Sequence, residues 1–275
     1  MSNKIAVITG ASRGIGRAIT LKYAQMGYDV AICCHHNKER LEETAKEVRS
    51  MQVRCLTYVG NIGNYNDACT FFHEIETKLG SIDILINNAG ISCFGLLQDT
   101  TPEQWDAMIT SNLNSVFYCS KLAIPEMLSK KSGKILSISS VWGNVGASME
   151  VPYSTTKGAI NAFTKALAKE LGPSNIQVNA IACGMIDTEM NAVLSEDDIT
   201  AITEEIPAGR MGTPEEVAEL AFAITKKNDY LTGQIITLDG GGSEMRSWCH
   251  ETVLTPEKPR GMMNLQNTCG FRRAI

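Results

Sequence analysis

The stretch that decides the fold is Ile5-Ala6-Val7-Ile8-Thr9-Gly10-Ala11-Ser12-Arg13-Gly14-Ile15-Gly16. It opens with a continuous apolar run, which marks a strand buried on both faces, as strands of parallel sheets are. Three glycines follow, spaced Gly10-x-x-x-Gly14-x-Gly16, and then a helix-length segment near 15–26. Glycines let the backbone approach a ligand closely, and a helix N-terminus offers free N–H groups at its positive end. Strand, glycine turn and helix in that order form a cradle for a pyrophosphate, with Gly10, Ser12, Arg13, Gly14, Ile15 and Gly16 as its wall.

The alternation continues outward from this unit. Short apolar runs at 5–9, 30–34, 55–59, 84–87, 134–139, 178–182 and 235–238 read as strands, and segments near 15–26, 38–50, 65–79, 103–129, 153–171 and 214–225 read as helices. This predicts an α/β fold: one doubly wound domain over residues 1–242, with a seven-stranded parallel sheet and helices on both faces. After Asp239-Gly240-Gly241-Gly242 the periodicity weakens, and 243–275, with Pro256, Pro259, Arg272 and Arg273, reads as a tail. It is either a surface extension or an arm across an oligomer interface, and protection of Trp248 on assembly distinguishes the two.

Composition narrows the function. A net charge of −5 over 275 residues, with no dense basic run, argues against a nucleic-acid partner. No apolar stretch approaches the roughly 20 residues that span a bilayer. The first residues run straight into a strand with no signal peptide, so the expectation is a cytoplasmic protein with no membrane partner. None of the nine cysteines shows C-x-x-C spacing, and His35, His36, His73 and His250 are not arranged as ligands. Reduced thiols and no metal follow.

The second strand ends Cys33-Cys34-His35-His36-Asn37-Lys38, without the acid that holds a ribose 2′-hydroxyl in NAD-binding folds. Arg13, His35 and Lys38 would instead meet a 2′-phosphate, which predicts NADP(H) as the preferred cofactor, with NAD(H) possible. Asn61-Ile62 after the third strand falls at the adenine edge. Asn87-Asn88-Ala89-Gly90 ends the fourth strand at the carboxyl edge of the sheet, where ligands sit. Its amides either face the cofactor or stitch neighbouring loops.

Downstream, Ser139-Ser140 ends an apolar run, and Tyr153-Ser154-Thr155-Thr156-Lys157 opens a long helix. A four-residue spacing puts the phenol and the ammonium on one helix face. Beside a dinucleotide turn, they suggest an acid/base centre.

In order along the chain, Thr9-Gly10-x-x-x-Gly14-x-Gly16, Asn87-Asn88-Ala89-Gly90, Asn112, Ser140 and Tyr153-x-x-x-Lys157 resemble the short-chain dehydrogenase/reductase family over about residues 4–242. Ile206-Pro207-Ala208-Gly209-Arg210 and Leu231-Thr232-Gly233-Gln234-Ile235 are most similar to its 3-oxoacyl-acyl-carrier-protein reductases. The resemblance implies a Rossmann-type sheet, a homotetramer or homodimer, and Asn112, Ser140, Tyr153 and Lys157 as the catalytic set. Tyr153 would be the general acid, with Lys157 lowering its pKa and holding the nicotinamide ribose. Ser140 would orient the substrate oxygen and Asn112 hold a relay water. Gly184, Ile186 and Thr188 would border the nicotinamide, with 189–212 as a mobile lid. The substrate would be a small-molecule ketone or one linked to a carrier or protein. A dinucleotide-binding regulator without chemistry would be expected to lack Tyr153 or Lys157.

Three positions depart from the subgroup. Cys183-Gly184 replaces Pro-Gly after the sixth strand, Ser174 replaces an arginine that serves the carrier protein, and Glu150 replaces a glutamine, although Lys130, Lys131 and Lys134 remain nearby. The run 141–150 with Ala182-Cys183-Gly184 is similar to reductases of the 5-aminopentanone modification of elongation factor P. A carboxylate at Glu150, on the substrate mouth, would attract an amine-bearing ketone. A hydroxysteroid or small-alcohol dehydrogenase is a third reading.

Overall fold

The computed structural model describes residues 3–191, 194–242 and 271–274. The described strands are β1 (Ile5–Thr9), β2 (Asp29–Cys34), β3 (Cys55–Val59), β4 (Ile84–Asn87), β5 (Gly90–Cys93), β6 (Gly133–Ser140), β7 (Ile176–Cys183), β8 (Ile235–Leu238) and β9 (Phe271–Ala274). The α-helices are α1 (Gly14–Gln25), α2 (Lys38–Ser50), α3 (Tyr65–Lys78), α4 (Pro102–Ile109), α5 (Ser115–Lys130), α6 (Trp142–Val145), α7 (Val151–Leu171), α8 (Glu196–Glu205) and α9 (Pro214–Lys227).

Seven strands form one sheet in the order β3-β2-β1-β4-β6-β7-β8, and every pairing in it is parallel. β1 shows why its sequence is apolar throughout. Ala6 and Ile8 pack on one face with Ile19 of α1, Leu41 of α2 and Val217 of α9. Ile5 and Val7 pack on the other with Phe71 of α3, Met127 of α5 and Leu171 of α7. Each of the larger side chains among them, Ile, Leu, Val, Phe or Met, stabilises the fold by roughly 1.5–3 kcal/mol on burial, so both layers are held firmly to the sheet.

The strand order creates the site. The chain leaves β1 toward β2 and β3, then returns to place β4 on the opposite side of β1. The loops after β1 and β4 therefore part at the carboxyl edge, which is where open α/β sheets bind ligands.

Four features differ from the sequence expectation. The helix expected over 103–129 is interrupted: α4 ends at Ile109, a π-helical turn spans Thr110–Asn114, and α5 begins at Ser115. A π-turn adds a residue to the helical ladder and re-aims the side chains around it, often at functional sites. Here it carries Asn112, which is fully buried. The short strand β5 follows β4 directly and pairs antiparallel with β9, with Gly90 opposite Ala274 and Cys93 opposite Phe271. Two helices also stand where none was expected, α6 after β6 and α8 inside the 189–212 segment, with Ile202 and Ile206 buried. Trp248 and most of the tail lie outside the described residues.

Candidate active site

The glycine turn is shaped by close approach. Gly10 and Gly14 have φ of +67° and +53°, in the left-handed region that favours glycine. A Cβ on Gly16 would stand 2.1 Å from the Gly10 carbonyl oxygen, and one on Gly10 would stand 2.9 Å from Ala89 Cα. The turn is thus pressed against the loop after β4, and no side chain caps the start of α1. Such a cradle fits a pyrophosphate. Ser12 is buried within it, and Ile15 packs at the edge of the core below.

Thr9 and Asn88 bind the two loops together. Asn88 Nδ2 donates to the carbonyls of Thr9 (2.9 Å) and Gly10 (3.0 Å), and the backbone N–H groups of Asn88 and Ala89 donate to Thr9 Oγ1 at 2.9 and 3.0 Å. Asn88 and Ala89 therefore brace the turn through these groups. Asn87 is buried and donates to Ser120 Oγ at 3.2 Å, which makes it a stitch between β4 and α5. Gly90 lies against Asn112, since a Cβ there would be 3.2 Å from Asn112 Oδ1 and 3.8 Å from Lys157 Nζ.

At the ends of β2 and β3, His35 stacks on His36 with ring centroids 3.5 Å apart. Asn61 accepts from Gly63 N–H at 3.0 Å through its Oδ1, its backbone N–H donates to Asp67 at 2.8 Å, and Ile62 is buried. Arg13 Nη1 donates to Glu189 Oε2 at 2.7 Å, and Arg40, a residue the sequence reading passed over, donates to the same oxygen.

The reactive groups meet between β6 and α7. Ser140 is the last residue of β6; its hydroxyl accepts from Trp142 N–H at 3.2 Å and acts on the Tyr153 phenol. Lys157, one turn beyond Tyr153 on α7, is only 5% exposed, and its Nζ donates to the Ile138 carbonyl at 2.8 Å. The same Nζ stands 5.4 Å from the centre of the Tyr153 ring. α7 is brought onto α6, just past β6, by a close approach at Gly143, where a Cβ would meet the Lys157 carbonyl carbon at 2.7 Å. Ser139 and Asn161 bind each other at 2.6 Å, and Asn161 donates to Asn144 at 2.8 Å, which fixes α6, α7 and β6 as one unit.

Asn112 is held by four hydrogen bonds. Its Oδ1 accepts from Ile91 N–H at 2.7 Å, and its Nδ2 donates to Ile91 O (2.8 Å), Thr156 Oγ1 (3.1 Å) and Met108 Sδ (3.1 Å). Thr156 therefore joins the site as a support that spacing alone did not reveal.

Burial dominates the electrostatics. It raises the Tyr153 phenol well above its usual range; Glu150 and Cys183 raise it further, and Ser140 works in the opposite sense. Burial also lowers Lys157 from 10.5 to about 8, with Cys183 opposing the shift. In this structure the phenol is raised, with burial the largest cause. Removing a charged group from water disfavours the charged form of both partners, and the ammonium points at the Ile138 carbonyl.

On the far side of the cleft, Gly184 sits against Asp239, where a Cβ would come within 2.7 Å of Asp239 Cβ, and its N–H donates to Leu238 O. Ile186 bridges to Gly212, and its carbonyl accepts from Asn191 at 2.7 Å. Thr188 Cγ2 lies 3.4 Å from the position of a Cβ on Gly14, so this segment closes directly over the glycine turn. Among the described residues no His/Cys/Asp/Glu group could hold a metal ion, and no helix is long and apolar enough to cross a membrane.

The sequence model of the short chain dehydrogenase family matches residues 4–199. The chain is 38% identical over 239 residues to a 3-oxoacyl-[acyl-carrier-protein] reductase FabG of Staphylococcus aureus, covering 86% of this chain and 97% of that protein. The corresponding proteins of Thermotoga maritima and Aquifex aeolicus are 38% and 39% identical, each across 88% of this chain and 98% of theirs. With the seven-stranded parallel sheet and the site built on β1, β4, β6 and α7, these matches establish that the chain belongs to the short-chain dehydrogenase family and is an NAD(P)-dependent oxidoreductase acting on the CH–OH/carbonyl pair.

Proposed function

We propose that the protein reduces a ketone to a secondary alcohol with NADPH, in the manner of the 3-oxoacyl-acyl-carrier-protein reductases that it is similar to. The observation that carries this reading is the buried phenol of Tyr153 under the influence of Ser140 at the end of β6, with the buried ammonium of Lys157 one helical turn along and 5.4 Å from the ring centre. When bound, the dinucleotide supplies the hydride. Ser140 Oγ holds the substrate carbonyl oxygen, and Tyr153 Oη delivers a proton to it as the C–O bond becomes an alkoxide. A phenol held neutral by burial is suited to donate in that direction. Lys157, with a pKa near 8, can pass a proton back to the phenolate at neutral pH and also hold the nicotinamide ribose. Asn112 positions the main chain at Ile91 and, with it, a relay water.

A second reading is favoured by Glu150, whose carboxylate acts on the Tyr153 phenol. A negative charge this close to the reacting centre suits a ketone that carries an amine, such as the 5-aminopentanone group on elongation factor P, and disfavours an anionic substrate. The lysines that would meet an acidic carrier protein are already engaged in part. Lys130 pairs with Asp83 at 3.4 Å, and Lys134 pairs with Asp229 at 2.7 Å.

NADPH oxidation measured side by side with a 3-oxoacyl thioester, modified elongation factor P and a steroid ketone tests the proposal. Turnover of the first supports the leading reading, turnover of the second alone supports the Glu150 reading, and turnover of none of the three contradicts both. We also place the protein in the cytoplasm as a homotetramer or homodimer. The oligomer is supported by Phe117 and Leu128, which lie 47% and 40% exposed on α5.

A further inference from the structure

Glu189 lies immediately after Thr188, in the segment that closes over the glycine turn. A single oxygen of its carboxylate, Oε2, accepts from two arginines that reach it from different loops. Arg13 comes from the turn between β1 and α1, and Arg40 from the first turn of α2, just after β2. These are the two loops that flank the ribose next to the adenine when a dinucleotide lies across the carboxyl edge of such a sheet. The gap between the guanidinium groups is therefore the width of one anionic oxygen. Both arginines hold Glu189 ionised, with the Arg40 hydrogen bond the larger influence. The neighbouring charges are Lys38 and Glu39 beside Arg40 in the chain and Glu43, which acts on Arg40.

We infer that Arg13 and Arg40 together form the site for the ribose 2′-phosphate, and that Glu189 is an internal carboxylate occupying it, which the phosphate must displace. The proposal rests on the NADPH reading above and adds two residues to it, Arg40 and Glu189. Guanidinium forks bind phosphate better than carboxylate because they meet more acceptor oxygens and more negative charge. A 2′-hydroxyl carries no charge and cannot compete for the arginines. Cofactor phosphate and the segment that begins at Thr188 are thereby coupled: occupying the site frees Glu189 from the arginines.

Dissociation constants for NADPH and NADH, read from nicotinamide fluorescence on the full chain, test this with Arg40→Gln and Glu189→Gln. Both side chains are 43–48% exposed in their ion pairs, so neither substitution disturbs the core. Wild type is expected to prefer NADPH. Arg40→Gln should weaken NADPH about tenfold and leave NADH within twofold, as the loss of one charged phosphate contact does. Glu189→Gln should tighten NADPH severalfold, again with NADH unchanged. Weaker NADPH binding in Glu189→Gln would make Glu189 a support for the arginines and overturn the inference, as would an unchanged NADPH/NADH ratio in both variants. A wild type that binds NADH as tightly as NADPH would overturn the cofactor reading itself.

Discussion

Lys157 is a charge inside the protein, and its replacement by methionine gives a measurable consequence. Burial lowers the ammonium from 10.5 to about 8. At 1.36 kcal/mol per unit, that difference is about 3 kcal/mol of unfavourable free energy in the folded state whenever the lysine is charged in both states. The sign follows from linkage: between about pH 8 and 10.5 the unfolded chain binds more protons, so stability rises with pH over that window. Below about pH 8 the cost is present in full, and above about 10.5 it vanishes. Lys157→Met removes the cost and also the hydrogen bond to the Ile138 carbonyl, which contributes about 1.5–3 kcal/mol in the opposite direction. At pH 7 the variant should therefore be as stable as wild type or up to about 2 kcal/mol more stable, while losing turnover. Urea unfolding of both proteins at pH 7 and pH 9.5 reads the effect, and the variant's relative advantage should shrink by about 2 kcal/mol at the higher pH. A stability difference that does not change with pH, or that grows in the variant's favour as pH rises, would show that Lys157 is not a buried charge held at a cost.

Other consequences follow from the same geometry. Gly16→Ala places a Cβ 2.1 Å from the Gly10 carbonyl oxygen, so the turn must open. We expect a loss of about 1–3 kcal/mol in thermal unfolding and at least tenfold weaker dinucleotide binding. Glu150→Gln removes a charge that raises the Tyr153 phenol. The pH profile of alcohol oxidation should move to lower pH, and the kcat/KM ratio between amine-bearing and neutral ketones should fall about three- to tenfold. An unchanged ratio would end the Glu150 reading. The exposed Phe117 and Leu128 of α5 predict an oligomer by light scattering, and Phe117→Lys should shift it toward monomer.

Much of this was legible in the sequence because the signals are local. A strand buried on both faces must be apolar throughout, so β1, β2 and β4 were visible as runs, and the glycines at 10, 14 and 16 announced a backbone under close approach. The Tyr153/Lys157 spacing placed both side chains on one face of α7 because helix geometry is fixed. What was hidden depends on contacts between distant parts. The π-turn at Thr110–Asn114 has no composition of its own; it is held by the Asn112 carboxamide gripping Ile91, 21 residues away. Arg40 looked like any polar residue on an amphipathic helix, and only folding brings it to Glu189, 149 residues on. The raised phenol of Tyr153 was hidden for a related reason. Spacing gives proximity, while the direction of a pKa shift depends on burial and on which acceptor the ammonium finds.

In the proposed reaction Tyr153 supplies the proton for ketone reduction. The most direct test of this role is single-turnover NADPH oxidation by Tyr153→Phe, beside wild type, with whichever ketone wild type turns over, together with the NADPH dissociation constant of each. The phenylalanine ring preserves the packing and removes only the hydroxyl. The variant's rate is expected to be lower by about 10²–10⁴, the range a positioned general acid contributes, with cofactor binding within about twofold of wild type. Turnover retained within tenfold, with binding intact, would contradict it.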